Sequence, residues 1–337
     1  MDVRVASVTL NFADPMQTAY GVLRRRELLL LRLRDGDGSV GWGEAAPLEP
    51  YDGVSPAKVR AAFEAYEAIL RDGDGNPAAD LLERCRIVAD VPQALAAVDL
   101  ALWDLAGNRE GKPVSELIAE DPDTEVRVNA TIPAEDRAHA AEQAAAAAHA
   151  GYTCVKVKVG IGDDAGRVAA VRAAAGAEME LRLDANGAWE VDEAVSSILA
   201  LAPAGLELVE EPVHGVSAMR QVRDRVPVRV AMDETAGQPG SLTAKVADAV
   251  CLKVSRCGGI SRLLAQAALV RASGADVYLA STFDGPLGIA AAVHCAAALK
   301  TTAACGLGTL ELFADELTVL PVEQGTIAVP VQPGLGV

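Results

Sequence analysis

Six side chains at regular intervals could do chemistry together. Lys156 and Lys158 stand one residue apart in the β-branched run Cys154-Val-Lys-Val-Lys-Val159, and alternate residues of a strand share a face. Asp184 ends Leu181-Arg-Leu-Asp184, Glu210 ends Leu206-Glu-Leu-Val-Glu210, and Asp233 ends Val228-Arg-Val-Ala-Met-Asp233. The next run, Ala249-Val-Cys-Leu-Lys253, ends in a lysine. Neighbouring parallel strands lie about 4.8 Å apart, so three such carboxylates can converge on one point. One acid at a strand end is commonly a helix N-cap; three in series are not explained that way. Converging carboxylates in a dry cleft need a cation, and all-oxygen donors suit Mg²⁺, with Mn²⁺ as second choice and zinc disfavoured by the lack of Cys or His. A lone inward lysine is usually a salt-bridge partner. Lys158 and Lys253, flanking the carboxylates on opposite sides, read better as acid/base groups. The matching chemistry is abstraction of a proton α to a carboxylate, with a lysine taking the proton and the metal stabilising the enediolate.

The elements that must position these groups can be read from pattern. Strands are expected over 3–11, 26–34 and 39–44, with a hairpin turn at Asp35-Gly-Asp-Gly38 and loops over 12–21 and 45–53. Helical patterns follow over 56–70, 78–86 and 92–108; the last has an apolar stripe at 95, 98, 102 and 105, proline in its first turn and Gly107 near its end. From residue 126 strands and helices alternate, with strands beginning near 126, 153, 179, 206, 228, 249, 276 and 303. That rhythm predicts an α/β chain: a (β/α) TIM-type barrel over 121–310, an α+β capping domain over 1–120, and a tail, 311–337, packing back on the cap. An open doubly wound sheet is the alternative, but Asn129-Ala-Thr-Ile-Pro133 stands where it would carry a glycine-rich dinucleotide loop.

Composition bounds the partners. At 337 residues, 51% hydrophobic and with a formal charge of −17, the chain suits a globular protein with a large core and not a nucleic-acid binder. No apolar run spans a bilayer and no signal peptide is seen. Six scattered cysteines with no C-x-x-C pair predict reduced, buried thiols and a cytoplasmic location. The sequence leaves monomer and homo-oligomer open.

These residues resemble the enolase superfamily, whose members use a lysine or histidine base and magnesium on an enediolate. The resemblance covers nearly the whole chain: Gly41-Trp-Gly-Glu44, the helix Ala97-Val-Asp-Leu-Ala-Leu-Trp-Asp-Leu105, Lys156-x-Lys158, Asp184-Ala-Asn186, Glu210-Glu-Pro212, Asp233-Glu234 and Lys253. It implies an enolase-like modified barrel, Lys158 as base with Lys253 opposite, and metal on Asp184, Glu210 and Asp233. Lys156, Arg182, Asn186, Glu234, Ser281 and Thr282 are expected to touch substrate or support the site, Arg182 being equally a structural counter-charge. The branch using a histidine base on the seventh strand is disfavoured, since His139, His149, His214 and His294 all lie away from strand ends.

Short length, Arg182 and the Gly-Leu-Gly-Thr stretch most resemble actinobacterial o-succinylbenzoate synthases of menaquinone biosynthesis. The expected reaction is then a carbon–oxygen lyase dehydration of 2-succinyl-6-hydroxy-2,4-cyclohexadiene-1-carboxylate. The alternative is an N-acylamino-acid racemase using both lysines. Dipeptide epimerases carry Asp-x-Asp after the eighth strand, where this chain has Cys305-Gly-Leu-Gly-Thr309. A non-catalytic scaffold would have no need of opposed lysines.

Overall fold

A computed structural model describes residues 1–18, 21–133, 136–315 and 317–337. The chain opens with an antiparallel sheet of β1 (Asp2–Thr18), β2 (Gly21–Arg34) and β3 (Val40–Ala45), in that order. The expected loop over 12–21 is instead strand as far as Thr18: after a register irregularity between Asn11 and Met16, pairing resumes at Met16–Leu23 and ends at Thr18–Gly21. Residues 13–15 are exposed, so this ribbon has no buried face to produce the alternation by which a strand is recognised. Residues 19 and 20 of the expected loop lie outside the described residues.

Three helices, Pro56–Arg71, Ala78–Val88 and Pro92–Glu110, cover the sheet. The third is more than an amphipathic stripe. Leu95, Val98 and Leu102 join the core of the cap, while Leu100 on another face joins the core of the barrel. Gly41 and Gly43 let it lie on β3: a Cβ at Gly41 would stand 2.1 Å from the Ala101 carbonyl, and one at Gly43 1.9 Å from that of Ala97. The helix ends at Gly111 in the left-handed conformation (φ 68°); Gly107 lies in its last turn, its carbonyl accepting from Gly111 N, and is buried against the backbone of Gly334.

The expected first barrel strand is split. β4 (Glu125–Arg127) pairs with β13 (Thr326–Ala328), itself paired with β12 (Val322–Glu323); β5 (Ala130–Ile132) enters the barrel. Then come β6 (Cys154–Lys158), β7 (Glu180–Asp184), β8 (Leu206–Glu210), β9 (Arg229–Met232), β10 (Ala249–Leu252) and β11 (Asp276–Leu279). These form a parallel sheet in the order β11-β10-β9-β8-β7-β6-β5. The eighth position, near 303, is a short closing segment: Cys305 bridges to Val128 and Gly306 to Ala280, with Cys305 N donating to the Arg127 carbonyl at 2.8 Å and Gly306 N to that of Leu279 at 2.8 Å. The ring closes, so the open-sheet alternative falls.

The tail touches both units. Phe313 stacks on Phe12 of β1 (centroids 4.8 Å apart), Leu335 N donates to Asp104, and the Gly334 carbonyl accepts from Val114 N. Fully buried His294 belongs here: its Nδ1 accepts from Ser115 N and its Nε2 meets the Leu335 carbonyl, both at 3.2 Å. All six cysteines are free and buried, and among the described residues no helix is long and apolar enough to cross a membrane.

The seat of the long helix gives a prediction. Gly43→Ala must push the helix backbone off β3, and overpacking of this kind costs about 1–3 kcal/mol. Thermal unfolding should show a midpoint several degrees lower; an unchanged midpoint would mean that the close approach is not needed.

Candidate active site

Strand register brings the chemistry to one rim. Lys158 pairs with Asp184, Asp184 with Glu210, and Asp233 follows directly on β9, so the groups stand side by side at the C-terminal ends of adjacent strands. Asp184, Glu210 and Asp233 are each at most 4% exposed. Lys156 bridges the first two, its Nζ 3.0 Å from Asp184 and 3.1 Å from Glu210. Lys158 Nζ donates to Asp184 Oδ2 and to Asn186 Oδ1, both at 2.7 Å; its side chain is 26% exposed, the most open of the three lysines. Lys253 stands at the other end of the row, donating to Asp233 Oδ1 at 2.6 Å and Oδ2 at 2.5 Å.

Burial and pairing pull the titrations in opposite directions. Burial alone would raise the Asp184 carboxyl, but the ammoniums of Lys156 and Lys158 outweigh it and hold it well below the carboxylate range. Glu210 rises: burial outweighs Lys156, and the charges of Asp184 and Asp233 add to it. Asp233 falls, because Lys253 and Arg256 overcome its burial. Lys156 and Lys253 are buried too, yet both are raised, by Asp184 and Glu210 in one case and by Asp233 and Tyr51 in the other.

The residues around this row are uneven. Asn186, in the left-handed region at φ 44°, receives Lys158 and donates to Glu234 Oε1 at 3.1 Å. Glu234 is pushed up to about 7 by burial and by the charge of Asp233. Glu211, also left-handed at φ 39°, accepts from the backbone of Asp233 and Thr235, fixing the turn after β9. Non-glycine residues in this region are uncommon and collect at functional sites.

Three expected site residues make no hydrogen bond to the carboxylate row. Arg182 does face the lumen but at its base, fully buried, where it forks onto Glu207 and donates to the Ala304 carbonyl at 2.6 Å. Ser281 meets Thr309 at 2.8 Å, and Thr282 donates to Asp284 at 2.6 Å; neither has a hydrogen bond to the carboxylate row.

The loop over 45–53, expected to close the site, reaches the row through a residue that the sequence did not single out. Tyr51, in the expected loop over 45–53, donates to Asp233 Oδ1 at 3.1 Å and accepts from Lys253 at 2.6 Å. Its ring lies between Lys253 and Arg256, 4.6 and 4.8 Å from the centroid. A lone tyrosine in a proline-bounded loop gives no pattern to find. Nearby, Glu44 of the Gly-Trp-Gly-Glu stretch is buried and accepts from Gly285 N at 2.7 Å; burial and the charge of Asp284 push it up to about 8. His214 lies beside the row, 3.0 Å from Glu211, but on the outer side of that turn.

The donor set fits a hard divalent cation. Three buried all-oxygen side chains stand in adjacent register, and a lysine ammonium already bridges two of them, marking where positive charge is wanted. A cleft of about 620 Å³, lined in part by Tyr51, Asp233, Lys253 and Arg256, reaches Lys253.

Comparison with known proteins places this geometry. Residues 1–119 match the mandelate racemase / muconate lactonizing enzyme N-terminal domain, and residues 139–337 the family described as enolase C-terminal domain-like. The L-Ala-D/L-Glu epimerase of Bacillus subtilis is 28% identical, over 99% of this chain and 95% of its own. The o-succinylbenzoate synthase of Thermobifida fusca is 34% identical over 90% of this chain and 80% of its own. The structure of the Enterococcus faecalis dipeptide epimerase complexed with Mg and the dipeptide L-Leu-L-Tyr superposes with a TM-score of 0.90 at 26% identity, covering 99% of this chain and 98% of that one. Epimerases, which are isomerases, thus match nearly end to end in sequence and structure, and this overturns the expected hydro-lyase. Two features that suggested the synthase lie outside the site: Arg182 is at the barrel base, and Gly306 and Gly308 pack against Ala280 and Val322 where the barrel closes. The chain belongs to the enolase superfamily, in its mandelate racemase / muconate lactonizing enzyme branch.

Proposed function

We propose that this chain is a Mg²⁺-dependent racemase or epimerase, inverting the α-carbon of an N-acylated amino acid, dipeptides included. The observation that carries the proposal is the pair of lysines at opposite ends of one carboxylate row, Lys158 on Asp184 and Lys253 on Asp233. Inversion needs a proton removed from one face of a carbon and another delivered to the opposite face. Two ammonium/amine groups either side of a bound carboxylate can do this in both directions, one neutral and one protonated at the start. A bound cation on Asp184, Glu210 and Asp233 would supply charge stabilisation for the substrate carboxylate as the α-proton leaves.

The chain's own residues account for the rest. Asn186 takes one hydrogen bond from Lys158 and so aims its Nζ. Lys156 is engaged by two carboxylates at once and balances charge instead of carrying protons. Tyr51 accepts a hydrogen bond from Lys253 and so holds its Nζ against Asp233. The segment Cys305–Thr309 carries no acid to pair with a free ammonium, which within this class favours N-acylamino acids over dipeptides.

The direct test incubates the protein with Mg²⁺ and both stereoisomers of N-acylamino acids and dipeptides in D₂O. The expected result is inversion with deuterium entering the α-position. No exchange on any member of a broad panel would overturn the proposal.

The metal site gives a second prediction. A cation that binds only the folded state stabilises it by about 2.7 kcal/mol at a hundred times its dissociation constant. Mg²⁺ added to chelated protein should therefore raise the melting temperature by several degrees, and Asp233→Asn should reduce that rise. In chelator the same variant should melt below wild type, since it leaves the Lys253 ammonium buried without its carboxylate. Equal Mg²⁺ shifts in the two proteins would remove Asp233 from the ligand set.

A further inference from the structure

Below the row of carboxylates, one contact crosses the barrel. Tyr278 lies on β11, three strands from β8 in the sheet order and 68 residues from Glu210. Its hydroxyl donates to Glu210 Oε2 at 2.7 Å, and the phenol is 2% exposed. The other oxygen, Oε1, faces Lys156 at 3.1 Å. The tyrosine is itself held from below: the Arg182 guanidinium lies over its ring, 5.0 Å from the centroid, and is anchored by Glu207 and the Ala304 carbonyl. A stack of three side chains thus runs from the barrel base to one carboxylate, and the catalytic proposal makes no use of it.

We propose that Tyr278 is a positioning residue for the metal site, pinning Oε2 of Glu210 so that Oε1 is presented to the cation. The inference rests on the reading of Glu210 as a ligand. Glu210 has one ion-pair partner, Lys156, where Asp184 has Lys156 and Lys158 and Asp233 has Lys253 and Arg256. A donor on its far oxygen fixes its rotamer. Without the hydroxyl, Oε2 would be buried with no partner, and the carboxylate would be free to turn. Partners that orient metal ligands are typically worth about 10–100-fold in affinity. Arg182, expected from its sequence position to stand at the site or to serve as a structural counter-charge, acquires a definite place as the support of this tyrosine.

The test measures Mn²⁺ binding by the loss of the free-ion electron paramagnetic resonance signal, which needs no substrate. Four full-length proteins are compared: wild type, Tyr278→Phe, Glu210→Gln and the double variant. Phenylalanine keeps the ring and its stacking on Arg182, and melting in chelator confirms the fold. Tyr278→Phe should weaken Mn²⁺ about 10–100-fold, with turnover recovering as Mn²⁺ is raised to saturation. The double variant should bind no more weakly than Glu210→Gln alone, because the tyrosine acts through that carboxylate. Affinity within twofold of wild type in Tyr278→Phe would overturn the inference, as would losses that multiply in the double variant. Wild-type affinity in Glu210→Gln would overturn the ligand reading, and with it this role for Tyr278. Should Tyr278→Phe not fold, Glu210→Asp keeps the charge but shortens the side chain out of the tyrosine's reach; it should also bind Mn²⁺ at least tenfold more weakly, and wild-type affinity there would count against the contact.

Discussion

The structure depends on compensating three carboxylates that adjacent strands force together in a dry cleft. Asp184, Glu210 and Asp233 are almost wholly buried, and one ionised carboxylate left alone in such a place is costly. Each is met by cations: Lys156 and Lys158 at Asp184, Lys156 at Glu210, Lys253 and Arg256 at Asp233. Two of the lysines that balance the row, Lys158 and Lys253, are those to which the proposed function gives the proton transfers. Asp184, Glu210 and Asp233 would hold a divalent cation in the proposed function, and its charge would then balance these carboxylates beside the lysines.

The cap is tied to this row by buried polar contacts and by close packing. Gly41 and Gly43 bring β3 against the helix Pro92–Glu110, and Glu44, one residue on, crosses to the backbone of Gly285 at the end of the barrel. Arg26, buried beside it, donates to the carbonyls of Ala46, Pro47 and Phe283 and so fastens the loop before Tyr51 to the segment after β11. That fastening brings Tyr51 onto Lys253. A capping domain held this way fixes one wall of the site instead of leaving it to chance collisions of loops.

Much of this was legible in the sequence because parallel strands leave a strong trace. Short β-branched runs ending in Lys158, Asp184, Glu210, Asp233 and Lys253 recur at barrel spacing, and the register of β6, β7 and β8 sets the first three of these side by side. What stayed hidden was of two kinds. Depth along a strand cannot be read from alternation: Arg182 shares a face with Asp184 yet sits one layer lower, bound to Glu207. Contacts across the barrel leave no periodic sign either, so no pattern singles out Tyr278, or Tyr51 within its loop. The expected hydro-lyase rested in part on Arg182 and the glycines after Cys305 as marks of resemblance, and these residues brace and close the barrel.

The central claim is that Lys158 and Lys253 serve opposite faces of one carbon, and single-lysine variants in D₂O test it most directly. Lys158→Ala and Lys253→Ala should each lose inversion by about 10²–10⁴-fold while folding and binding Mg²⁺. Each should still exchange the α-proton of one stereoisomer, the remaining lysine working alone, and the two variants should choose opposite stereoisomers. Exchange of both stereoisomers by either variant, or of the same one by both, would contradict the account.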